Sequence, residues 1–151
     1  MKNVLILGIG NILQKDDGIG PHVVTHILET GMALPEGVEV IDGGTAGFDL
    51  IPLMKGKDRI IIVDALHVDD EPGSIYRFAP EHLVETSQRY SLHDMGVREI
   101  IKQLRLSGDD PEIEIIGIVP EDIGTLEIGI SDSVRESIPR VADQVLDAAT
   151  H

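Results

Sequence analysis

The sequence predicts an α/β fold: a three-layer sandwich whose twisted, mostly parallel sheet has helices on both faces and an antiparallel edge strand. Two observations lead to this prediction. Short continuous apolar runs recur along the chain, as in strands that are buried on both faces. Segments with apolar residues at helical spacing lie between those runs. Such alternation favours parallel strands joined by crossover helices, which cover both faces of the sheet.

The first half of the chain supplies three predicted strands and two helices. An apolar run that ends at glycine predicts a buried strand over residues 3–8, and further apolar runs predict strands over 38–41 and 59–63. A helix is predicted over 19–30, with proline in its first turn and glycine directly after it. Its apolar face comprises Ile19, Val23, Val24, Ile27 and Leu28. A short helix over 48–54 follows the second strand, and its length is limited by a proline.

The second half completes the sheet and its cover. Residues 73–78 follow a Pro-Gly turn and predict the antiparallel edge strand, and residues 113–119 predict the last strand. A helix is predicted over 94–106, with Val97, Ile100, Ile101 and Leu104 facing inward.

The last predicted helix spans residues 131–148. Ser133 and Glu136 have the spacing of a capping box at its start. Pro139 is awkward inside a helix, so either the helix kinks there or its regular part begins later.

Length and composition predict one domain over residues 1–151. The absence of cysteine excludes disulfides, thiolate metal sites, iron–sulfur clusters and a cysteine nucleophile. The N-terminal apolar stretch is short and interrupted by glycine, unlike a signal peptide. No apolar run approaches the roughly 18 residues of a membrane span. We therefore expect a cytoplasmic protein without a membrane partner.

The chain is strongly acidic, with 12 Lys+Arg against 27 Asp+Glu and a net charge of -15. Such a surface repels nucleic-acid phosphate and anionic lipid, so we expect no nucleic-acid partner. It favours a basic protein partner or a cation, or it serves solubility alone. Aromatic residues make up only 3% of the chain, which argues against stacking surfaces for bases.

Two acids and one histidine border predicted elements at the same edge of the sheet. Asp17 follows the first strand and its glycine turn, Asp64 follows the 59–63 strand, and His93 precedes the 94–106 helix. The carboxyl ends of parallel strands share one edge, where open α/β folds place their chemistry. Two carboxylates and one imidazole meeting there would form a three-ligand site for a divalent metal.

Each of these residues also has a structural explanation when it is taken alone. An acid such as Asp17 at a helix start suits the positive end of the helix dipole. Asp64 could close a turn after its strand, and His93 could be a helix-start residue held by a backbone hydrogen bond. It is their joint placement at one edge that favours a functional site.

Other familiar sites are weakly indicated or absent from the sequence. Gly8-Ile9-Gly10 and the acid Asp42 are arranged as in a dinucleotide fold, but Leu13 stands where that fingerprint needs glycine. The P-loop, nucleophile-elbow and zinc-protease motifs are missing. His22 and His26 have metal-binding spacing on a helix, but without a third ligand nearby surface histidines are favoured.

A glycine-rich loop over residues 42–47 follows the second strand. Three glycines in so short a segment are costly to order, so they indicate unusual backbone angles or close approach of another backbone. Two explanations account for these glycines equally well: a tight crossover to the next helix, and a backbone surface that binds a peptide.

Four motifs follow one another along the chain: residues 8–20 (GIGNILQKDDGIG), residues 42–47 (DGGTAG), residues 63–65 (VDA) and residues 91–96 (SLHDMG). In this order they resemble the hydrogenase maturation proteases, the endopeptidases that trim the C-terminal extension of the [NiFe]-hydrogenase large subunit. The resemblance runs over most of the chain.

The resemblance implies which residues form the site. The three metal-contacting positions of the family fall on Asp17, Asp64 and His93, although Asp16 could compete with Asp17 for the first. The glycine loop is implied in cleavage, with Asp42 as a catalytic residue. Its neighbours Gly43, Gly44 and Thr45 are implied in substrate binding.

The resemblance also implies an activity and a partner. The substrate is the large-subunit precursor, which carries nickel to the site; another divalent metal could occupy that site in vitro. The expected enzyme is a nickel-dependent, aspartic-type endopeptidase, acting as a monomer, in which a carboxylate beside the metal or Asp42 accepts a proton from the attacking water. The alternatives are a non-catalytic metal- or nucleotide-binding regulatory domain and a spore-type endopeptidase of similar fold.

Overall fold

The computed structural model of the chain describes residues 2–83 and 92–150, apart from the side chains of residues 83 and 92–95. These residues form a five-stranded sheet with the order β2-β1-β3-β5-β4. Its strands are β1 (Val4–Ile9), β2 (Val38–Gly44), β3 (Arg59–Ala65), β4 (Ile75–Phe78) and β5 (Glu112–Ile118). The first three and β5 pair in parallel, and β4 pairs antiparallel with β5 at the edge, as the sequence predicts.

The described helices cover the two faces of this sheet. They are α1 (Ile19–Glu29), α2 (Ile51–Met54), α3 (Leu92–Leu106), α4 (Asp132–Arg135) and α5 (Ile138–Thr150). Short 3-10 helices over Lys15–Gly18 and Gly47–Leu50 precede α1 and α2. No helix within the described ranges has both the length and the apolar character that crossing a bilayer requires.

Alternate residues of the strands build two separate cores, because successive side chains of a strand point to opposite faces. Ile61 and Val63 of β3 pack with α1 and α5 on one face. Ile60 and Ile62 pack with α2 and α3 on the other. The central strands are therefore buried on both sides, which explains why they read as continuous apolar runs.

One residue of the predicted inward face of α1 is exposed. Ile19, Val23 and Ile27 are buried as predicted, but Leu28 is exposed. Consecutive helical residues differ by about 100° around the axis, so Leu28 lies beside the buried stripe rather than within it.

The last helical segment is divided into α4 and α5, so the regular helix begins later, as one of the two sequence alternatives proposed. Pro139 is the second residue of α5, where its missing N–H breaks no helical bond. The predicted capping box is wrong. Ser131 precedes α4 without a side-chain cap, and the hydroxyl of Ser133 instead donates to Glu121 Oε1 at 2.8 Å.

Candidate active site

The loop between β1 and α1 folds back on itself because two glycines permit close backbone contacts. At Gly10, where φ is +152°, a Cβ atom would lie 2.2 Å from the carbonyl oxygen of Asp17. At Gly18, a Cβ atom would lie 2.6 Å from Cα of Ile12. Neither position has room for a side chain. The loop therefore returns Asp17 to the end of β1.

Asp17 is buried in the 3-10 helix of this loop, which contacts β3. Its Oδ2 atom accepts a hydrogen bond from the backbone N–H of Asn11 at 3.1 Å. This bond spans the closed loop and fixes the direction of the carboxylate. The carboxylate is thus oriented by its own segment, next to the strand that carries Asp64.

Asp64 is buried one residue before the end of β3. The sequence predicted that this strand ends at residue 63 and that Asp64 follows it, which is wrong. The strand continues for two more residues, because pairing with β5 extends to Ala65, opposite Ile118. Asp64 shares the face of Ile60 and Ile62, which α2 and α3 cover. Its Oδ1 atom accepts a hydrogen bond from the N–H of Ala65 at 2.8 Å.

His93 is the second residue of α3, so the prediction that it precedes the helix is also wrong. A short connection over residues 107–111 joins α3 to β5, so the helix runs back along the sheet and begins at the carboxyl edge. The side chain of His93 lies outside the described residues. Among the side chains that are described, no three His, Asp or Glu residues form a metal-binding group. Convergence of Asp17, Asp64 and His93 on one cation therefore stays a prediction.

Asp16 has a different role from its neighbour. It is completely buried, and its Oδ2 atom accepts the backbone N–H groups of Glu121 and Asp122 at 2.9 Å each. Its Oδ1 atom accepts the N–H of Ser131 at 2.7 Å. Hydrogen bonds from three backbone N–H groups to one carboxylate are strong and hold their segments together. Asp16 therefore holds the 121–131 loop beside the site, and competition with Asp17 for a metal would break these bonds. The sequence carries no local signal for this role.

The glycine loop is held against the first loop by backbone contacts. The N–H of Gly10 donates to the carbonyl of Gly44 at 3.0 Å. Gly43 is buried, and a Cβ atom there would lie 2.9 Å from Cδ1 of Leu7. Gly44 has a φ of +49°, which disfavours other residues. Close packing therefore explains Gly43 fully. Gly44 is half-buried, and a Cβ atom there would lie 3.9 Å from Oδ1 of Asp42, at ordinary contact distance.

Asp42, Thr45 and Ala46 are the exposed members of this loop. Asp42 lies in β2 and pairs with Gly8 of β1, the strand that leads into the loop of Asp17. Its Oδ1 atom accepts the N–H of Gly44 at 3.0 Å. This bond forms a local turn and leaves the carboxylate accessible to solvent. Asp42 is thus available to a substrate, but nothing in the geometry assigns it a catalytic role.

His22 is half-buried rather than a surface histidine, contrary to the sequence prediction. Its Nε2 atom is buried, and no hydrogen-bond partner for it exists among the described residues. Burial lowers the pKa of His22, as does the positive charge of Arg135, while Asp42 and Asp16 act in the opposite direction. We expect a neutral imidazole at pH 7.

The first turn of α1 packs directly on β1, which bears on the dinucleotide alternative. A Cβ atom on Gly20 would lie 2.4 Å from the carbonyl oxygen of Ile9 and 2.3 Å from that of Val63. A Cβ atom on Gly8 would lie 2.5 Å from the carbonyl oxygen of Gly20. Dinucleotide folds use glycine for the same close packing, so these contacts do not argue against a nucleotide. The long connection over residues 10–18 does, because a pyrophosphate-binding turn joins its strand to its helix within a few residues.

The chain matches the hydrogenase maturation protease family over residues 21–148. Among curated proteins, it is 34% identical over 148 residues to the hydrogenase 2 maturation protease of Escherichia coli, covering 96% of this chain and 89% of that protein. It belongs to the hydrogenase maturation protease family. The hydrogenase expression/formation protein HupD of Rhodobacter capsulatus is 31% identical over 150 residues, covering 89% of this chain and 71% of that protein.

Solved structures of the family have the same fold. The maturating endopeptidase HybD from E. coli superposes with a TM-score of 0.85 at 34% identity, covering 98% of this chain and 91% of that chain. The [NiFe] hydrogenase maturation protease HybD from Thermococcus kodakarensis gives a TM-score of 0.82 at 33% identity, covering 99% of each chain. This hydrogenase maturation protease is therefore a peptidase, and the non-catalytic alternative has no support.

Proposed function

We propose that this protease removes the C-terminal extension of a [NiFe]-hydrogenase large-subunit precursor after nickel insertion, acting as a monomer in the cytoplasm. It recognises the nickel that the precursor carries through Asp17, Asp64 and His93. The family assignment supports the peptidase activity. The nickel requirement rests on the chemistry of the site.

The observation that carries the proposal is the burial of two acids at one edge of the sheet. Asp17 and Asp64 are both buried, and the 3-10 helix of the first contacts the strand of the second. Each carboxylate accepts a backbone N–H from its own segment, which orients it before any substrate arrives. A cation at this edge would interact strongly with both carboxylates, because little water is present there to screen the charges.

The donor set fits nickel in the precursor. Carboxylate oxygen and imidazole nitrogen are suitable ligands for divalent nickel, and the chain contains no thiolate that would favour a softer metal. Nickel at this edge supplies Lewis acidity toward the scissile carbonyl. Asp17 and Asp64 orient the precursor by contacting its metal, so a precursor without nickel is bound without that contact and is cut poorly.

The glycine loop binds the extended peptide beside these acids in this proposal. Gly44 offers a backbone surface without a side chain, and Thr45 is exposed next to it. Asp42 is exposed in β2, two residues before the end of the strand, where it accepts the proton of the attacking water as the general base. An exposed carboxylate next to a backbone surface can reach a water at a bound peptide bond.

Cleavage of nickel-loaded and nickel-free precursor tests the proposal, with intact-protein mass spectrometry to detect loss of the extension. We expect only the loaded precursor to be cut. Equal cleavage of both precursors would contradict the proposed recognition of nickel. Cleavage of neither precursor would contradict the proposed endopeptidase activity. Asp64→Asn and His93→Ala should abolish cutting without unfolding the protein. Asp143→Asn is the control, because Asp143 is exposed on α5, on the other face of the sheet.

A further inference from the structure

Four large aliphatic side chains are exposed next to the candidate active site, and they form the surface that we call the apolar rim. Ile12 and Leu13 are 42% and 56% exposed in the loop that carries Asp17. Leu126 and Ile128 are 81% and 66% exposed in the loop that Asp16 holds. Single exposed aliphatic residues need no explanation, but a group of them beside a site indicates an interaction surface.

The two halves of the apolar rim are joined by backbone pairing. Gln14 and Glu127 form a parallel β-bridge, and the N–H of Lys15 donates to the carbonyl of Glu127 at 2.9 Å. Leu126 and Ile128 flank Glu127, and Leu13 precedes Gln14. The rim is therefore one surface made from two loops that are far apart in sequence.

The loop that carries Leu126 and Ile128 is rigidly built. Asp122 accepts the N–H groups of Gly124 and Thr125 at 3.0 Å each and the hydroxyl of Thr125 at 2.6 Å. Asp16 accepts three more backbone N–H groups from the same loop. A surface that is ordered before binding loses less conformational entropy when a partner arrives.

One of only 12 Lys and Arg residues lies at the bridge that joins the two halves of the rim. Lys15 Nζ lies 3.5 Å from Glu127 Oε2, and the charge of Lys15 also acts on Asp122. Lys15 thus offsets part of the acidic charge beside the rim. The four exposed aliphatic side chains of the rim fit an apolar segment of a partner.

We propose that the apolar rim binds an apolar segment of the large-subunit precursor, and this inference rests on the proposed function. Leu13 and Asp17 lie in the same closed loop, so a protein whose nickel reaches Asp17 covers that loop as well. The rim is continuous with the site through this loop and through the bridge at Gln14. The rim binds the precursor whether or not it carries nickel. It holds the precursor in place so that Asp17 and Asp64 can contact the metal.

Cleavage kinetics of the nickel-loaded precursor test this surface. The double variant L126N/I128N should raise KM by about tenfold or more, as expected when two aliphatic side chains lose their buried contacts. The value of kcat should change far less, because the contacts are made equally in the ground and transition states. The matched control is L106N. Leu106 is 72% exposed, but it ends α3 at the opposite edge of the sheet.

Direct binding measurements distinguish a failure of the rim proposal from a failure of the proposed function. The catalytically inactive Asp64→Asn variant, immobilised for interferometry, should bind nickel-free precursor, and adding L126N/I128N should weaken that binding about tenfold. If wild-type protease cuts the precursor and the double variant matches L106N in KM and affinity, the rim proposal is wrong while the proposed function stands. If the wild-type protease binds the precursor but never cuts it, the proposed function is wrong and the rim proposal is unaffected. Concentration-dependent dimerisation that the double variant abolishes would assign the rim to a second copy and overturn the inference.

Discussion

The Oδ1 atom of Asp16 accepts a hydrogen bond at 2.7 Å from the backbone N–H of Ser131, which lies 115 residues further along the chain. The adjacent residue Asp17 makes its backbone bond within its own loop, to Asn11. Two consecutive acids thus have separate tasks. Asp16 joins two distant segments, and Asp17 is oriented at the edge of the sheet.

Replacing Asp16 should therefore destabilise the fold. We expect Asp16→Ala to lower the free energy of unfolding by about 3 kcal/mol, because three N–H groups lose a charged acceptor. Urea denaturation followed by circular dichroism measures this change. Asp69→Ala is the control, since Asp69 is exposed and should change the free energy by less than about 0.5 kcal/mol. Similar losses for both variants would contradict the assigned role of Asp16.

A methyl group at Gly20 should be poorly tolerated. Its Cβ would lie 2.3 Å and 2.4 Å from the carbonyl oxygens of Val63 and Ile9, and strand backbone cannot move aside cheaply. We expect Gly20→Ala to cost about 3 kcal/mol in thermal or urea unfolding. Gly96 lies in α3, and a Cβ atom there would have no neighbour within 4 Å among the described residues. Gly96→Ala should therefore stabilise the protein by roughly 0.5–1 kcal/mol, and a loss there would argue against this account of α3.

The peptide-binding role of the glycine loop can be separated from backbone strain by a matched pair of variants. Gly44 and Gly31 have φ values of +49° and +65°, and neither has a close neighbour at the Cβ position. Alanine at either position should cost about 1 kcal/mol of stability through the left-handed backbone. Only Gly44→Ala should lower kcat/KM for precursor cleavage, because only Gly44 lies in the loop proposed to bind the peptide. Equal kcat/KM values for the two variants would confine Gly44 to a structural role.

His22 should make the fold less stable in acid. Its pKa is lowered in the folded state, mainly by burial, so the unfolded chain binds more protons once the pH falls below the ordinary value near 6.5. The stabilisation is present above that value and is lost as the pH falls toward the lowered pKa of the folded state. His22→Gln should reduce the difference in urea midpoint between pH 7.5 and pH 5.5. His67→Gln, at an exposed position, should leave that difference unchanged. An unaltered difference in the His22 variant would show that its burial does not affect acid stability.

Local patterns predicted the elements well because each depends on neighbouring residues. The apolar run of β1, the periodicity of α1 and the edge position of β4 follow from nearby sequence. Pro139 left a kink and a late start as alternatives, and the structure has the late start of α5. The errors also have local causes. The Ser133 capping box failed because the hydroxyl contacts Glu121, a residue outside the helix. Asp64 was placed after its strand because pairing with β5 extends β3 further than its apolar run.

The sequence by itself determined the α/β class, the acidic surface and the segments that carry Asp17, Asp64 and His93, since these depend on composition and on short-range order. Only the tertiary structure distinguished Asp16 from Asp17, buried the imidazole of His22 and joined Leu13 to Leu126 in one surface. Each of these features requires contacts between segments that are far apart along the chain or between packed layers. Hydrogen bonds and burial of this kind depend on how the whole chain folds, and no local pattern encodes them.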